Sequence, residues 1–122
     1  MQKLTSEKLP RPAGPYSHVA IAGGLVFTAG FGPQDPATGT VPEGIAAQTE
    51  AVIRNVERAL AEVGLDLSHV VKVTAHLADL GDFAAYNTVY ERLFPAPYPV
   101  RTTVGSALHG ILVEIDVIAA LA

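Results

Sequence analysis

Ile45-Ala-Ala-Gln-Thr-Glu-Ala-Val-Ile-Arg-Asn-Val-Glu-Arg-Ala-Leu-Ala-Glu-Val-Gly64, followed shortly by Val70-Val-Lys-Val-Thr-Ala-His-Leu77, is the stretch that decides the fold. In its first part Ile45, Val52, Ile53, Val56, Ala59, Leu60 and Val63 recur at helical spacing, with Gln48, Glu50, Arg54, Glu57 and Arg58 off the apolar stripe. This spacing predicts an amphipathic helix closing at Gly64, where glycine suits the position just past the last turn. In the second part Val71, Val73, Ala75 and Leu77 take every other position, the period of a strand. A helix feeding a strand in this way points to layers of helix on sheet.

Toward the N-terminus the character changes. Residues 1–44 hold 6 of the 9 prolines and 7 of the 11 glycines, which excludes a long helix there. Val19-Ala-Ile21 and Leu25-Val-Phe-Thr-Ala29 read as short strands joined by a tight turn at Gly23-Gly24. Asp35-Pro-Ala-Thr-Gly39 reads as a second turn, proline fixing φ and glycine supplying positive φ. Toward the C-terminus, Asp82 is the expected N-cap of a second helix that aligns Phe83, Tyr86, Asn87, Tyr90 and Phe94 on one stripe. Pro95-Ala-Pro-Tyr-Pro99 stops that helix. Arg101-Thr-Thr-Val104 is a short strand. In the last strand, Ile111 to Leu121, Ile111, Val113, Ile115, Val117 and Ala119 share one face, and Leu112, Glu114, Asp116 and Ile118 the other. The expected order is β-β-β-α-β-α-β-β, a single domain over 1–122, with two helices packed on one face of a mixed β-sheet.

Composition excludes several functions. The 122 residues contain no cysteine, which removes disulfides, thiol nucleophiles and Cys-ligated metals. The four histidines, His18, His69, His76 and His109, are scattered without metal-ligand spacing, so no metal is expected. With 8 Lys plus Arg against 12 Asp plus Glu, the net charge is −4, a poor basis for binding nucleic acid. No apolar run reaches membrane-spanning length and no signal-peptide core opens the chain, so a cytoplasmic location is expected. Only 16% of residues are charged, against about 25% in typical soluble domains. Such a shortage fits a surface partly buried against copies of the same chain.

Three side chains break the local pattern, as functional residues often do. Asn87 interrupts an aromatic stripe, where a buried amide needs partners; it serves either loop backbone or a site wall. Arg101 opens a strand of Thr and Val, offering a planar fork suited to a carboxylate or phosphate, or else lying exposed at a sheet edge. Alternation puts Thr103 on its face. Glu114 lies in an otherwise apolar strand with Asp116 on the same side, a face either solvated or carrying a partly buried acid or base. If these carboxylates and Arg101 share one face of the sheet, they form a cationic clamp beside an acid/base. Tyr16, after a Gly-Pro turn, is a weaker candidate. Gly14-Pro-Tyr16 and Gly30-Phe-Gly-Pro33 open no helix and match no phosphate loop.

Taken in order, Pro12-Ala-Gly-Pro-Tyr16, Phe27-Thr-Ala-Gly30, Pro36-Ala-Thr-Gly-Thr-Val-Pro42, Ala47-Gln48, Asp82-Phe-Ala-Ala-Tyr-Asn87 with Tyr90-Glu-Arg-Leu-Phe94, Pro99-Val-Arg-Thr-Thr-Val104 and Val113-Glu-Ile-Asp-Val-Ile-Ala119 resemble the RidA (YjgF-type) family of reactive-intermediate imine/enamine deaminases along nearly the whole chain. The resemblance implies a chorismate-mutase-like α/β (α+β) fold and a homotrimer with a barrel-like core and clefts between subunits. It implies hydrolysis of 2-imino or 2-enamino acids, released by pyridoxal-phosphate enzymes, to 2-keto acids and ammonia without cofactor or metal. Carried over by position, Arg101 clamps the substrate carboxylate and Glu114 activates water. Tyr16, Asn87 and the backbone at Gly30 and Thr103 complete the pocket. The sequence departs from the deaminase branch at Phe31, where Gln is usual, at Thr103, where Cys is frequent, and in a shorter, less charged 105–110 loop. Phe31 is thereby expected to line or border the cleft. The same clamp would also serve a non-catalytic or differently specific binder of small carboxylate metabolites. The acidic balance speaks against ribonuclease activity, a function claimed for some relatives.

Overall fold

The structure, a computed structural model, describes residues 1–122. Its elements are β1 (Gln2–Leu4), β2 (Val19–Ala22), β3 (Leu25–Thr28), α1 (Ile45–Ala61), β4 (Val70–Leu77), α2 (Phe83–Leu93), β5 (Val100–Gly105) and β6 (Val113–Ala120). Short 3₁₀ turns at Leu67–His69 and Leu80–Asp82 precede β4 and α2. The strands form one six-stranded sheet in the order β1-β2-β3-β6-β4-β5. Only β4 and β5 run parallel, and α2 forms the crossover between them.

The turn chemistry follows the sequence. Gly23 and Gly24 both take positive φ, which lets β2 return directly into β3 through a two-residue hairpin. Asp35 accepts from the N–H groups of Ala37 and Thr38 at 2.8 and 3.1 Å, closing the second turn. Three details differ from expectation. The last strand runs from Val113 to Ala120, so Ile111, Leu112 and Leu121 lie outside it. Helix α1 ends at Ala61, and Gly64 closes the looser turn beyond it, where Leu65 N–H reaches the Leu60 carbonyl. Asp82 sits at the N-cap of α2 but makes no side-chain cap; its N–H bonds the Asp79 carbonyl in the preceding 3₁₀ turn. Asp79 caps the 3₁₀ turn instead, accepting from Gly81 N–H at 2.8 Å.

Both helices pack on one face of the sheet. Val73, Ala75 and Leu77 of β4 and Val113, Ile115, Val117 and Ala119 of β6 meet Val52, Ile53, Val56 and Leu60 of α1 and the aromatics of α2 in a single buried core. The opposite face has no helix. It carries Phe27, Val100 and Val104, each more than a third exposed, among Lys72, Thr74, His76, Glu114 and Asp116. No helix is long and apolar enough to cross a membrane.

Candidate functional site

Strand register fixes which candidate residues share a face. Arg101 on β5 pairs with Val73, and Val73 pairs with Val117, so Arg101 lies on the helix-covered side. Thr103 pairs with Ala75 and lies on the same side. Glu114 pairs with His76 and alternates with buried Val113 and Ile115, so it projects from the open face, as does Asp116. Within one chain Arg101 and Glu114 therefore stand on opposite sides of the sheet. The condition of a shared face is not met, because Arg101 is in phase with the buried positions of its neighbouring strands whereas Glu114 is out of phase with them.

The candidates assemble into two half-sites. The first lies where β5 passes beneath α2. Arg101 and Asn87 line a recess of about 540 Å³ with Tyr90, Glu91, Tyr98 and Pro99. The guanidinium carbon stands 4.6 Å from the centroid of Tyr90, 5.3 Å from Tyr86 and 5.7 Å from Phe83, and Arg101 makes no ion pair. The Tyr86 hydroxyl is 3.5 Å from Thr103 Oγ1, a long contact. Burial pushes the Tyr90 hydroxyl up to about 12, despite the opposing pull of Arg101, and raises Tyr86 as well. Both phenols therefore stay neutral near neutral pH and give Arg101 no counter-charge. Asn87 differs from the expected core position. It is half-buried at the rim, without an internal hydrogen bond, because it flanks the stripe centred on Tyr86, Tyr90 and Phe94.

The second half-site is on the open face. Tyr16, Gly30, Phe31 and Glu114 line a cleft of about 830 Å³, whose other walls include Arg11, Ile111 and the 107–109 segment. A Cβ on Gly30 would lie 3.0 Å from both Cδ and Oε1 of Glu114, so the carboxylate rests against bare backbone. Glu114 makes no hydrogen bond or ion pair within the chain, which leaves both oxygens available. The Tyr16 hydroxyl accepts from Ala13 N–H at 3.0 Å, holding the N-terminal loop in a tight turn. Phe31 is only 4% exposed. Its backbone pairs with Ile115 and its ring stacks on His18, so it walls the cleft without filling it.

Several supporting residues escaped the sequence reading. Asn55, fully buried on α1, donates to the carbonyls of Gly32 and Gln34 at 3.0 and 2.9 Å and accepts from Arg58 at 2.8 Å. Gln48 was expected off the apolar stripe but is buried. It donates to Pro42 O at 3.0 Å and accepts from Leu112 N–H at 2.8 Å, because loops cover that end of α1. These two amides moor the segments on either side of the Glu114 cleft to the helix. Asn55 lies three residues after Val52 and four before Ala59, so its place on the buried stripe was the available signal. His18 is also buried: its Nδ1 accepts from Ser6 N–H at 3.1 Å and its Nε2–H donates to Pro10 O at 2.7 Å. On the open face Ser106 Oγ lies 2.7 Å from His76 Nδ1, tying the 105–110 loop beside Glu114.

The sequence matches the family described as "Endoribonuclease L-PSP" over residues 6–121. It is 43% identical over 119 residues to the "RutC family protein PYRAB12510" of Pyrococcus abyssi, covering 95% of this chain and 94% of that protein. It is 34% identical over 119 residues to the "2-iminobutanoate/2-iminopropanoate deaminase" of Capra hircus, covering 95% of this chain and 87% of the relative. The crystal structure of RidA from the Antarctic bacterium Psychrobacter sp. PAMC 21119 superposes with a TM-score of 0.93 at 34% identity, over 98% of this chain and 99% of the other. Similarity along the full length, in both sequence and fold, places this chain in the endoribonuclease L-PSP (YjgF/RidA) family, which includes reactive-intermediate deaminases.

Proposed function

We propose that this protein hydrolyses small 2-imino or 2-enamino carboxylic acids, of the kind released by pyridoxal-phosphate enzymes, to 2-keto acids and ammonia. The observation that carries this reading is the Arg101 guanidinium, set in an open recess with no carboxylate partner of its own. A planar fork left unpaired is suited to a planar carboxylate. The Glu114 carboxylate, equally unpaired, supplies the base. The similarity to a 2-iminobutanoate/2-iminopropanoate deaminase supports the same chemistry.

The two groups meet, in this reading, in a cleft between copies of a homotrimer, with Arg101 from one copy and Glu114 from its neighbour. Their placement on opposite faces of one sheet favours such an arrangement, as do the apolar side chains exposed on the open face and the low charge content. Arg101 binds the substrate carboxylate, and Asn87 and the Thr103 backbone border it. Tyr16 and the Gly30 backbone wall the other side.

The reaction needs little beyond positioning. A 2-imino acid protonated on nitrogen is a good electrophile at C2. Glu114 takes a proton from water as its oxygen bonds to C2, giving a tetrahedral carbinolamine. That proton passes to nitrogen, and as the C–N bond breaks and ammonia leaves, Glu114 takes the remaining hydroxyl proton so that the C2–O bond becomes the keto carbonyl. A 2-enamino acid first gains a proton at C3. Holding both partners makes the encounter effectively unimolecular, and a placed carboxylate contributes about 10²–10⁴-fold as general base. No cofactor or metal enters this scheme.

The test couples the protein to threonine dehydratase and follows keto-acid formation against semicarbazide as a competing trap. Wild type accelerates keto-acid release, and Arg101→Ala and Glu114→Gln each abolish the acceleration. Co-assembled Arg101→Ala and Glu114→Gln chains regain activity, because each mixed trimer holds one site with both groups intact. If Arg101→Ala matches wild type, deamination at this site is refuted. A second reading is a binder of small carboxylate metabolites that does not turn them over, favoured by Phe31 where the deaminase branch usually carries Gln. It predicts binding of 2-ketobutyrate lost in Arg101→Ala, with no acceleration by wild type.

A further inference from the structure

Arginine is a long, flexible side chain, and fixing its planar fork costs conformational entropy. Proteins commonly hold a functional arginine with a carboxylate, which occupies some of its N–H donors and offsets its charge. Arg101 has no such partner. Its guanidinium instead lies against three rings of α2, closest to Tyr90 at 4.6 Å. The rings come from positions three and four apart on one side of the helix and support one another. Phe94 stacks on Tyr90 at 4.4 Å and 22°, and Tyr86 tilts against Tyr90 at 5.7 Å. A ring face attracts a cation without consuming its donors.

We propose that Tyr90, backed by Phe94 and flanked by Tyr86 and Phe83, is the positioning residue that aims Arg101 without an ion pair, so that its guanidinium keeps N–H donors for an anionic ligand. Helix α2 thereby sets the carboxylate affinity of a clamp carried on β5. The inference rests on the reading of Arg101 as that clamp. The Tyr90 hydroxyl is buried without a hydrogen-bond partner, so the contribution of this residue lies in its ring. That separates a positioning role from a hydrogen-bonding one by substitution.

The test is isothermal titration of 2-ketobutyrate and its neutral amide, 2-ketobutyramide, into wild type, Tyr90→Phe, Tyr90→Leu, Phe83→Leu and Arg101→Ala. Tyr90→Leu is expected to weaken the anion about tenfold, the scale of losing one desolvated cation–ring contact, while the amide binds as before. Tyr90→Phe, which restores the ring, is expected to restore anion binding. In the coupled assay Tyr90→Leu raises KM more than it lowers kcat. Phe83→Leu, at a position 40% exposed and 5.7 Å from the guanidinium, is expected to shift anion affinity in the same direction by a smaller factor. Should Tyr90→Leu fail to fold, Phe83→Leu decides, and unchanged anion affinity there overturns the proposal. Equal loss of anion and amide in Tyr90→Leu also overturns it, since that is general damage. If Arg101→Ala loses the anion while folded Tyr90→Leu keeps it, positioning by Tyr90 is wrong and the clamp stands. If Arg101→Ala itself keeps the anion, the clamp reading falls.

Discussion

Gly30→Ala isolates the placement of Glu114 from its chemistry. The new Cβ would stand 3.0 Å from Glu114 Cδ and Oε1 and 3.3 Å from Cγ. Nonpolar contacts settle at about 3.5–4.0 Å, so the carboxylate must retreat by roughly 0.5–1 Å. The backbone at Gly30 is not in the left-handed region, so alanine fits there without strain. Glu114 is half-buried with no hydrogen bond to break, and its side chain can turn aside. Restricting the unfolded chain contributes about 0.4–1 kcal/mol in favour of the variant, against about 1–3 kcal/mol for crowding that does not relax. Net stability should therefore stay within about 1 kcal/mol of wild type. Activity should not, because a displacement of about 1 Å at a reacting group can cost about 10²-fold. A retreat toward the lower end of the range gives a loss of about tenfold, smaller than that of Glu114→Gln. Thermal melting and the dehydratase-coupled assay read the two quantities separately. A Gly30→Ala protein with full activity would refute the assigned position of Glu114. One that unfolds would refute the claim that only the carboxylate has to move.

Three further outcomes follow from the packing and charges. Asn55→Ala should destabilise the fold by about 1–3 kcal/mol for each carbonyl left unpaired in the interior, and should loosen the 32–34 segment, visible as faster amide exchange there. Thr49→Val removes a buried hydroxyl that has no partner and should raise stability by about 1 kcal/mol in denaturant titration, whereas an unchanged midpoint would mean the hydroxyl is satisfied. Burial raises the Asp116 carboxyl above its ordinary range, with His76 and Lys72 pulling it back. The folded state then holds that proton more tightly than the unfolded chain, so this group favours folding most below the ordinary aspartate range and progressively less as pH climbs through it. Asp116→Asn should melt higher than wild type at about pH 7 and lose that advantage near about pH 3; the reverse order would overturn the assignment.

The amino-acid sequence by itself determined the order of elements from β2 onward, the β4 boundaries, the two-residue hairpin at Gly23-Gly24 and the alternation of β6, because each depends on short-range periodicity or on the φ preference of a single residue; the three-residue β1 has no such pattern. It also marked Arg101, Asn87 and Glu114 as chemically out of keeping with their surroundings. Distances across the fold lay beyond it. That Arg101 is in phase with Val73, and Glu114 with His76, depends on how β5 and β6 register against β4, a choice made by the crossover through α2 and by long-range packing. The same holds for Gln48 and Asn55, polar residues whose burial comes from loops folding back over α1. Periodicity tells which way a side chain points relative to its own element. Only tertiary pairing decides what lies on that side, and here it sends the guanidinium and the carboxylate to opposite surfaces of one sheet.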